Sequence, residues 1–131
     1  MDDKKKILVI DDEELLTKTF SRVLEKTGYD VFIAKKGQDA CEMAEEENFD
    51  LIISDIRMPG LDGVETVLKL REIFLRKKME NIPTIFITGF ADELKEKEAK
   101  ALMPYAYIMK PFDIQELLLA VKNALIEKRK K

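Results

Sequence analysis

A chain of 131 residues, 46% of them hydrophobic, can bury one proper core and is too short for two ordinary domains. Its 23 basic and 26 acidic residues are spread along the whole length and leave a formal charge of −3, so no basic field gathers nucleic acid. Histidine is absent and Cys41 is the single cysteine, which removes histidine-assisted nucleophiles, most zinc sites and any internal disulfide. There is no signal-peptide pattern and no apolar run of membrane-spanning length, so a cytoplasmic setting is expected. The expected organisation is one domain over residues 1–131, with a core from about 6 to 127 and a basic tail at 127–131.

In chain order, the apolar run Ile7 to Ile10 reads as a first strand. Leu15, Leu16, Phe20, Val23 and Leu24 then fall on one helical stripe, which Gly28 closes. Val31 to Ala34 reads as a second strand and Gln38 to Glu47 as a weaker helix. Leu51 to Ile53 is the third strand. After it, Asp62 with Glu65 has the cap-and-third-residue spacing of a helix start, and Val64, Val67, Leu68, Ile73 and Phe74 form the stripe. Thr84 to Thr88 is the fourth strand, followed by a weak helix within Ala91 to Leu102 whose part from Asp92 to Lys100 is highly charged and has few apolar anchors. Ala106 to Met109 is the fifth strand. Asp113 with Glu116 repeats the cap spacing before a last helix carrying Ile114, Leu117, Leu118, Val121 and Leu125. The strands are rich in β-branched residues and do not alternate with polar ones, as suits a parallel sheet covered on both faces. Five βα units in strict alternation imply an open α/β sheet with right-handed crossovers. The tail Glu127 to Lys131 reads as a frayed helix end with cations at its negative pole, the alternatives being a linker to a further domain or a basic contact arm.

All strands of such a sheet open their C-terminal ends onto one edge, where these folds bind ligands. Asp11 and Asp12 follow the first strand, Asp55 the third and Lys110 the fifth, while Thr88 ends the fourth. Crowded acids repel one another unless a cation compensates, and a hard divalent ion that keeps water and accepts phosphate oxygens fits best. Such an ion, a lysine and a hydroxyl around a nucleophilic carboxylate suggest phosphoryl chemistry through an aspartyl-phosphate. Each piece alone has a plain structural explanation. The run Asp11 to Glu14 suits caps and dipole partners of the first helix, Asp55 a turn before Pro59-Gly60, and Thr88-Gly89 and Lys110-Pro111 ordinary strand exits. Their order along the chain, each at the end of its own strand, is what those explanations leave out.

Asp11-Asp12, Ser54-Asp55-Ile56-Arg57-Met58-Pro59-Gly60 with Leu61-Asp62-Gly63, Thr88-Gly89 and Lys110-Pro111-Phe112 together resemble the receiver domain of bacterial response regulators, over Lys6 to about Glu127. The resemblance implies a doubly wound, five-stranded parallel α/β sheet of order 2-1-3-4-5, a flavodoxin-like (βα)5 three-layer sandwich. By position it makes Asp55 the phosphoacceptor, Asp12 a direct ligand of Mg²⁺, Asp11 a ligand through water and the Arg57 carbonyl the third protein ligand, with Mn²⁺ able to substitute. Lys110 would pair with phosphoryl oxygens, and its bond to Pro111 would be cis. Thr88 and Tyr107 would form the switch that reshapes the face of the fourth helix, fifth strand and fifth helix, although an aromatic such as Tyr107 is also plain strand packing. The implied partners are a histidine kinase or histidine phosphotransfer protein and a downstream protein target, with no nucleic acid and no membrane, in a monomer or weak dimer. Such a domain is not an enzyme in the usual sense; it catalyses only its own phosphorylation and dephosphorylation.

Departures from the family pattern are Arg57 and Phe90 at the positions that tune phosphate lifetime, Met103-Pro104-Tyr105 in place of a small pair, and a long stretch Arg76 to Asn81. Three other readings remain open. A receiver-like module that docks without phosphorylation would usually lose the acceptor or the acid pair. A phosphatase using an aspartyl-phosphate needs a second acid where Arg57 stands. A flavin-binding sheet would want hydroxyls after strand one, where four acids would repel the phosphate of FMN.

Overall fold

The computed structural model describes residues 4–79, 82–89 and 92–129. Strands β1 (Lys6–Ile10), β2 (Asp30–Ala34), β3 (Leu51–Asp55), β4 (Thr84–Thr88) and β5 (Ala106–Met109) alternate with helices α1 (Glu14–Thr27), α2 (Gly37–Glu46), α3 (Gly63–Arg76), α4 (Glu93–Ala101) and α5 (Ile114–Arg129). Every ladder is parallel and the order is β2-β1-β3-β4-β5, the doubly wound sheet expected from the sequence. The chain leaves β1 towards β2 and returns to the other side of β1 as β3. That reversal opens a crevice beyond the ends of β1 and β3.

Strand residues alternate between two cores because successive side chains point to opposite faces. Ile7, Val9, Leu51, Ile53, Ile85, Ile87 and Ile108 pack with Phe20 and Leu24 of α1 and Leu117 and Val121 of α5. Leu8, Ile10, Ile52 and Phe86 pack on the other face with Ala40 and Ala44 of α2, Val67, Leu70 and Phe74 of α3, and Ala99 of α4. This two-sided burial is why the strands read as unbroken apolar runs.

Local signals place most boundaries. Gly28 adopts φ +108, and its N–H donates to the carbonyls of Glu25 and Leu24, ending α1 where only glycine is unstrained. Asp62 Oδ1 accepts the Glu65 N–H at 2.8 Å and Glu65 Oε1 accepts the Asp62 N–H at 3.0 Å, a complete capping box for α3. At α5 the Asp113 side chain accepts from the Gln115 N–H at 3.0 Å, while the Glu116 N–H goes to the Asp113 carbonyl, so the cap bond falls one residue earlier than the spacing indicates. One further expectation needs correction. β3 runs past Ile53, with Ser54 and Asp55 in register with Phe86 and Ile87, because pairing is a backbone property and the Ser54 hydroxyl is satisfied by the Asp55 carbonyl at 2.8 Å. Within the acidic run Asp11 to Glu14, Glu13 is the N-cap residue of α1, without a side-chain cap bond, and Glu14 lies in the first turn. Within the long stretch from Arg76, Lys77 donates to the Ala44 and Glu47 carbonyls at the end of α2, and Arg76 pairs with Glu45. Glu80, Asn81 and Phe90 lie outside the described residues.

Phe49, just before β3, is buried between Phe32 and Phe74 in edge-on contacts at 5.3 and 6.4 Å. Phe49→Ala is expected to cost about 3–5 kcal/mol, and Phe49→Leu much less, read as urea midpoints at unchanged m. A cost below about 1 kcal/mol for the alanine variant would mean that this aromatic cluster does not organise the α2–α3 side.

Candidate functional site

The C-terminal edge gathers polar groups from β1, β3, β4 and β5. Asp11 and Asp12 leave β1, and the Asp11 backbone stays tied to β2 through its N–H on the Ala34 carbonyl at 3.1 Å. Asp55 ends β3, the direct neighbour of β1. One carboxylate oxygen from each of Asp11, Asp12 and Asp55 lies within 4.8 Å of the others. Asp11 is 1% exposed and Asp55 5%, whereas Asp12 faces solvent.

Lys110 follows β5, and its N–H donates to the Thr88 carbonyl at 2.7 Å, so the lysine is fixed to the last residue of β4. Its Nζ lies 2.7 Å from Glu13 Oε1, 3.4 Å from Asp11 Oδ2 and 3.5 Å from Asp55 Oδ2. The Lys110–Pro111 peptide is cis. Thr88 is buried at the same edge. Tyr107 is half-buried on the α2–α3–α4 side of the sheet, with Lys100 Nζ 5.4 Å from the centre of its ring. Arg57 is exposed in the loop after β3, and its N–H faces Asp55 Oδ1 at 3.4 Å. Met103 adopts φ +55 and is highly exposed, so the Met103-Pro104-Tyr105 segment turns outward before β5.

Two residues matter more than their sequence context suggests. Gly63 donates its N–H to the Ile56 carbonyl at 2.7 Å, and a Cβ there would collide with the Asp55 carbonyl oxygen and lie 2.8 Å from the Ile56 Cα. Glycine thus lets the start of α3 press against the backbone at the end of β3. Of the three carboxylates around the Lys110 ammonium, Glu13 makes the shortest contact. In the sequence it is one acid in a run of four, and no local pattern separates it from a dipole partner of α1.

The electrostatics favour a cation. Burial, reinforced by the Asp11 charge, pushes the Asp55 carboxyl up to about 6, against the opposing pull of Lys110. Burial likewise raises Asp11, although the Glu13 N–H on Asp11 Oδ1 and the nearby Lys110 act the other way. For Lys110 burial lowers the pKa, but Glu13, Asp55 and Asp11 outweigh it and the ammonium is held. One ammonium therefore does not neutralise the group. Hard carboxylate oxygens from adjacent strand ends, two of them on nearly buried side chains, form a donor set suited to magnesium or manganese.

A sign follows for the metal-free chain. Between the ordinary carboxylate value of 3.8 and about 6, the folded chain holds a proton on Asp55 that the unfolded chain has lost, so this group's contribution to stability falls as pH rises through that window. In EDTA at pH 7, Asp55→Asn is expected to be more stable than the parent by on the order of 2 kcal/mol, the difference shrinking towards pH 4. Urea unfolding at both pH values checks it; a variant less stable than the parent at pH 7 would refute the electrostatic account.

The family model described as the response regulator receiver domain matches residues 7–122. Sporulation initiation phosphotransferase F of Bacillus subtilis (strain 168) is 34% identical over 121 residues, covering 92% of this chain and 94% of that protein. The probable transcriptional regulator ycf29 of Pyropia yezoensis is 35% identical over 92% of this chain but 53% of its own length, and the chain spans about half the length of several curated relatives it matches. A CheY-like response regulator receiver domain protein from Methanospirillum hungatei JF-1 superposes with a TM-score of 0.88 at 32% identity, covering 98% of each chain. With the ordered sheet, the acid cluster at its edge and these matches in agreement, the chain belongs to the response regulator receiver domain family.

Proposed function

We propose that this chain is a phosphoacceptor switch of a two-component phosphorelay, in which Asp55 takes a phosphoryl group from a phosphohistidine on a histidine kinase or histidine phosphotransfer protein. The observation that carries the reading is the convergence of Asp11, Asp12 and Asp55 within 4.8 Å, with Lys110 beside them. An Asp55 carboxylate oxygen forms the new bond to phosphorus while the bond from phosphorus to the donor imidazole nitrogen breaks, and the imidazole carries away the electron pair. Mg²⁺ held by Asp12, Asp55, the Arg57 carbonyl and, through water, Asp11 would supply positive charge to the phosphoryl oxygens. Lys110 contributes its ammonium to the same oxygens and Thr88 its hydroxyl. The domain catalyses only its own phosphorylation and dephosphorylation and turns over no metabolite.

In this reading Thr88 moves towards the phosphoryl group and Tyr107 fills the space behind it, changing the α4-β5-α5 face that a downstream protein reads. Two features support that output face. α4 buries only Ala99, so little apolar packing fixes it. Six of the nine large apolar side chains exposed among the described residues lie between Leu94 and Ile126, Tyr105, Met109 and Leu119 among them. No helix of the described residues is long and apolar enough to cross a membrane. A cytoplasmic location, and a monomer or weak dimer acting through protein contacts, belong to the same proposal.

Incubation with acetyl phosphate and Mg²⁺ is expected to add the mass of one phosphoryl group to the parent chain, and to add none to Asp55→Asn or to the parent in EDTA. Intact-mass spectrometry reads the result. Labelling of the Asp55→Asn chain would show that the acceptor is a different residue.

A further inference from the structure

We propose that Glu13 is a positioning residue that holds the Lys110 ammonium off the acid cluster, leaving Asp11 and Asp55 open to a divalent cation; this rests on reading that cluster as the Mg²⁺ site. Lys110 is shared unequally. Its 2.7 Å contact to Glu13 is a full charge-assisted hydrogen bond, whereas 3.4 Å to Asp11 and 3.5 Å to Asp55 are at the outer limit of one. Glu13 is not one of the three carboxylates that converge within 4.8 Å, so its charge is available to the lysine without occupying a ligand position. Its backbone is fixed for this role, because its N–H is bound to Asp11 Oδ1 at 2.9 Å and its carbonyl accepts the Thr17 N–H at the start of α1.

An ammonium and a magnesium ion compete for the same carboxylate oxygens, and they repel each other at this range. Drawing the ammonium towards Glu13 weakens that competition. Without the Glu13 charge, Lys110 settles more closely on Asp55 and Asp11, and an entering ion has to displace it. The arrangement is also reversible. The Glu13 side chain is 59% exposed, and an exposed ion pair is weak enough that phosphoryl oxygens on Asp55 can draw Lys110 back.

A double-mutant cycle separates this role from simple attraction between Glu13 and the ion. Mg²⁺ is titrated into the parent chain, Glu13→Gln, Lys110→Met and the double variant, followed by amide NMR shifts. Glu13→Gln is expected to weaken Mg²⁺ binding about two- to fivefold in the parent, the range of an exposed pair, and by less than about twofold in the Lys110→Met background. Lys110→Met alone is expected to bind Mg²⁺ more tightly than the parent. Equal weakening in both backgrounds would make Glu13 a plain attractive charge and overturn the inference, as would unchanged or tighter binding by Glu13→Gln alone. A parent chain that binds no Mg²⁺ would instead overturn the reading of the cluster itself, and that is read from the first titration.

Discussion

Two carboxylates that the fold forces together at the buried edge of a parallel sheet set the terms for the rest of this molecule. β1 and β3 are neighbours in register, with Ile10 opposite Ser54, so Asp11 and Asp55 emerge side by side about one strand spacing, roughly 5 Å, apart. Both side chains are almost fully buried, and burial raises both pKa values. The apolar layers on either side of the sheet hold the strands in this order whatever the charge does at its edge. An unfavourable charge cluster on a well-packed frame is a local conflict of the kind that marks a functional site.

The acid edge is joined to α4 by short polar links. Gly63 ties the start of α3 to the Ile56 carbonyl, and the neighbouring Asp62 caps α3 with Oδ1 while its Oδ2 lies 2.5 Å from Lys95 of α4. At the far end of α4, Arg71 of α3 donates to the Leu102 carbonyl at 2.7 Å. α4 is thus held to α3 at both ends by cationic side chains, and by a single buried alanine in between. α3 buries Val64, Val67, Leu70, Ile73 and Phe74 and stays with the sheet. The helix with the fewest apolar anchors is the one connected, through Asp62, to the loop that carries Arg57.

The strand order came from the family resemblance carried by the acid, threonine and lysine motifs, whereas the parallel α/β sheet was legible because five apolar runs, each covered on both faces, alternate with helical stripes. The end of β3 was not, since Ser54 and Asp55 look like a strand exit and only the pairing with β4 keeps them in the ladder. Asp11, Asp12, Asp55, Thr88 and Lys110 could be placed at one edge from their positions after strands. Glu13 could not be singled out, because its contact to Lys110 spans 97 residues and depends on where a flexible side chain settles. The Asp62–Lys95 link escaped for the same reason. Asp62 was legible as a cap from its three-residue spacing to Glu65, but nothing local connects it to a lysine on another helix.

Charge arithmetic at the edge explains why a side chain alone does not finish the site. Asp11, Asp12, Asp55 and Glu13 carry four formal negative charges against the one of Lys110, an excess of three. A second lysine would reduce that excess by one, whereas a divalent ion would reduce it by two and keep water in its coordination shell. Phosphorylation of Asp55 would exchange one carboxylate charge for up to about two on the phosphoryl group. The added charge would stand above the end of β3, where Lys110, anchored through its own N–H to the Thr88 carbonyl, is the cation already within reach. In the proposed switch, a shift of Lys110 towards that charge would act beside its backbone bond to Thr88, so the lysine proposed to face the phosphoryl group is bonded to the residue proposed to respond to it.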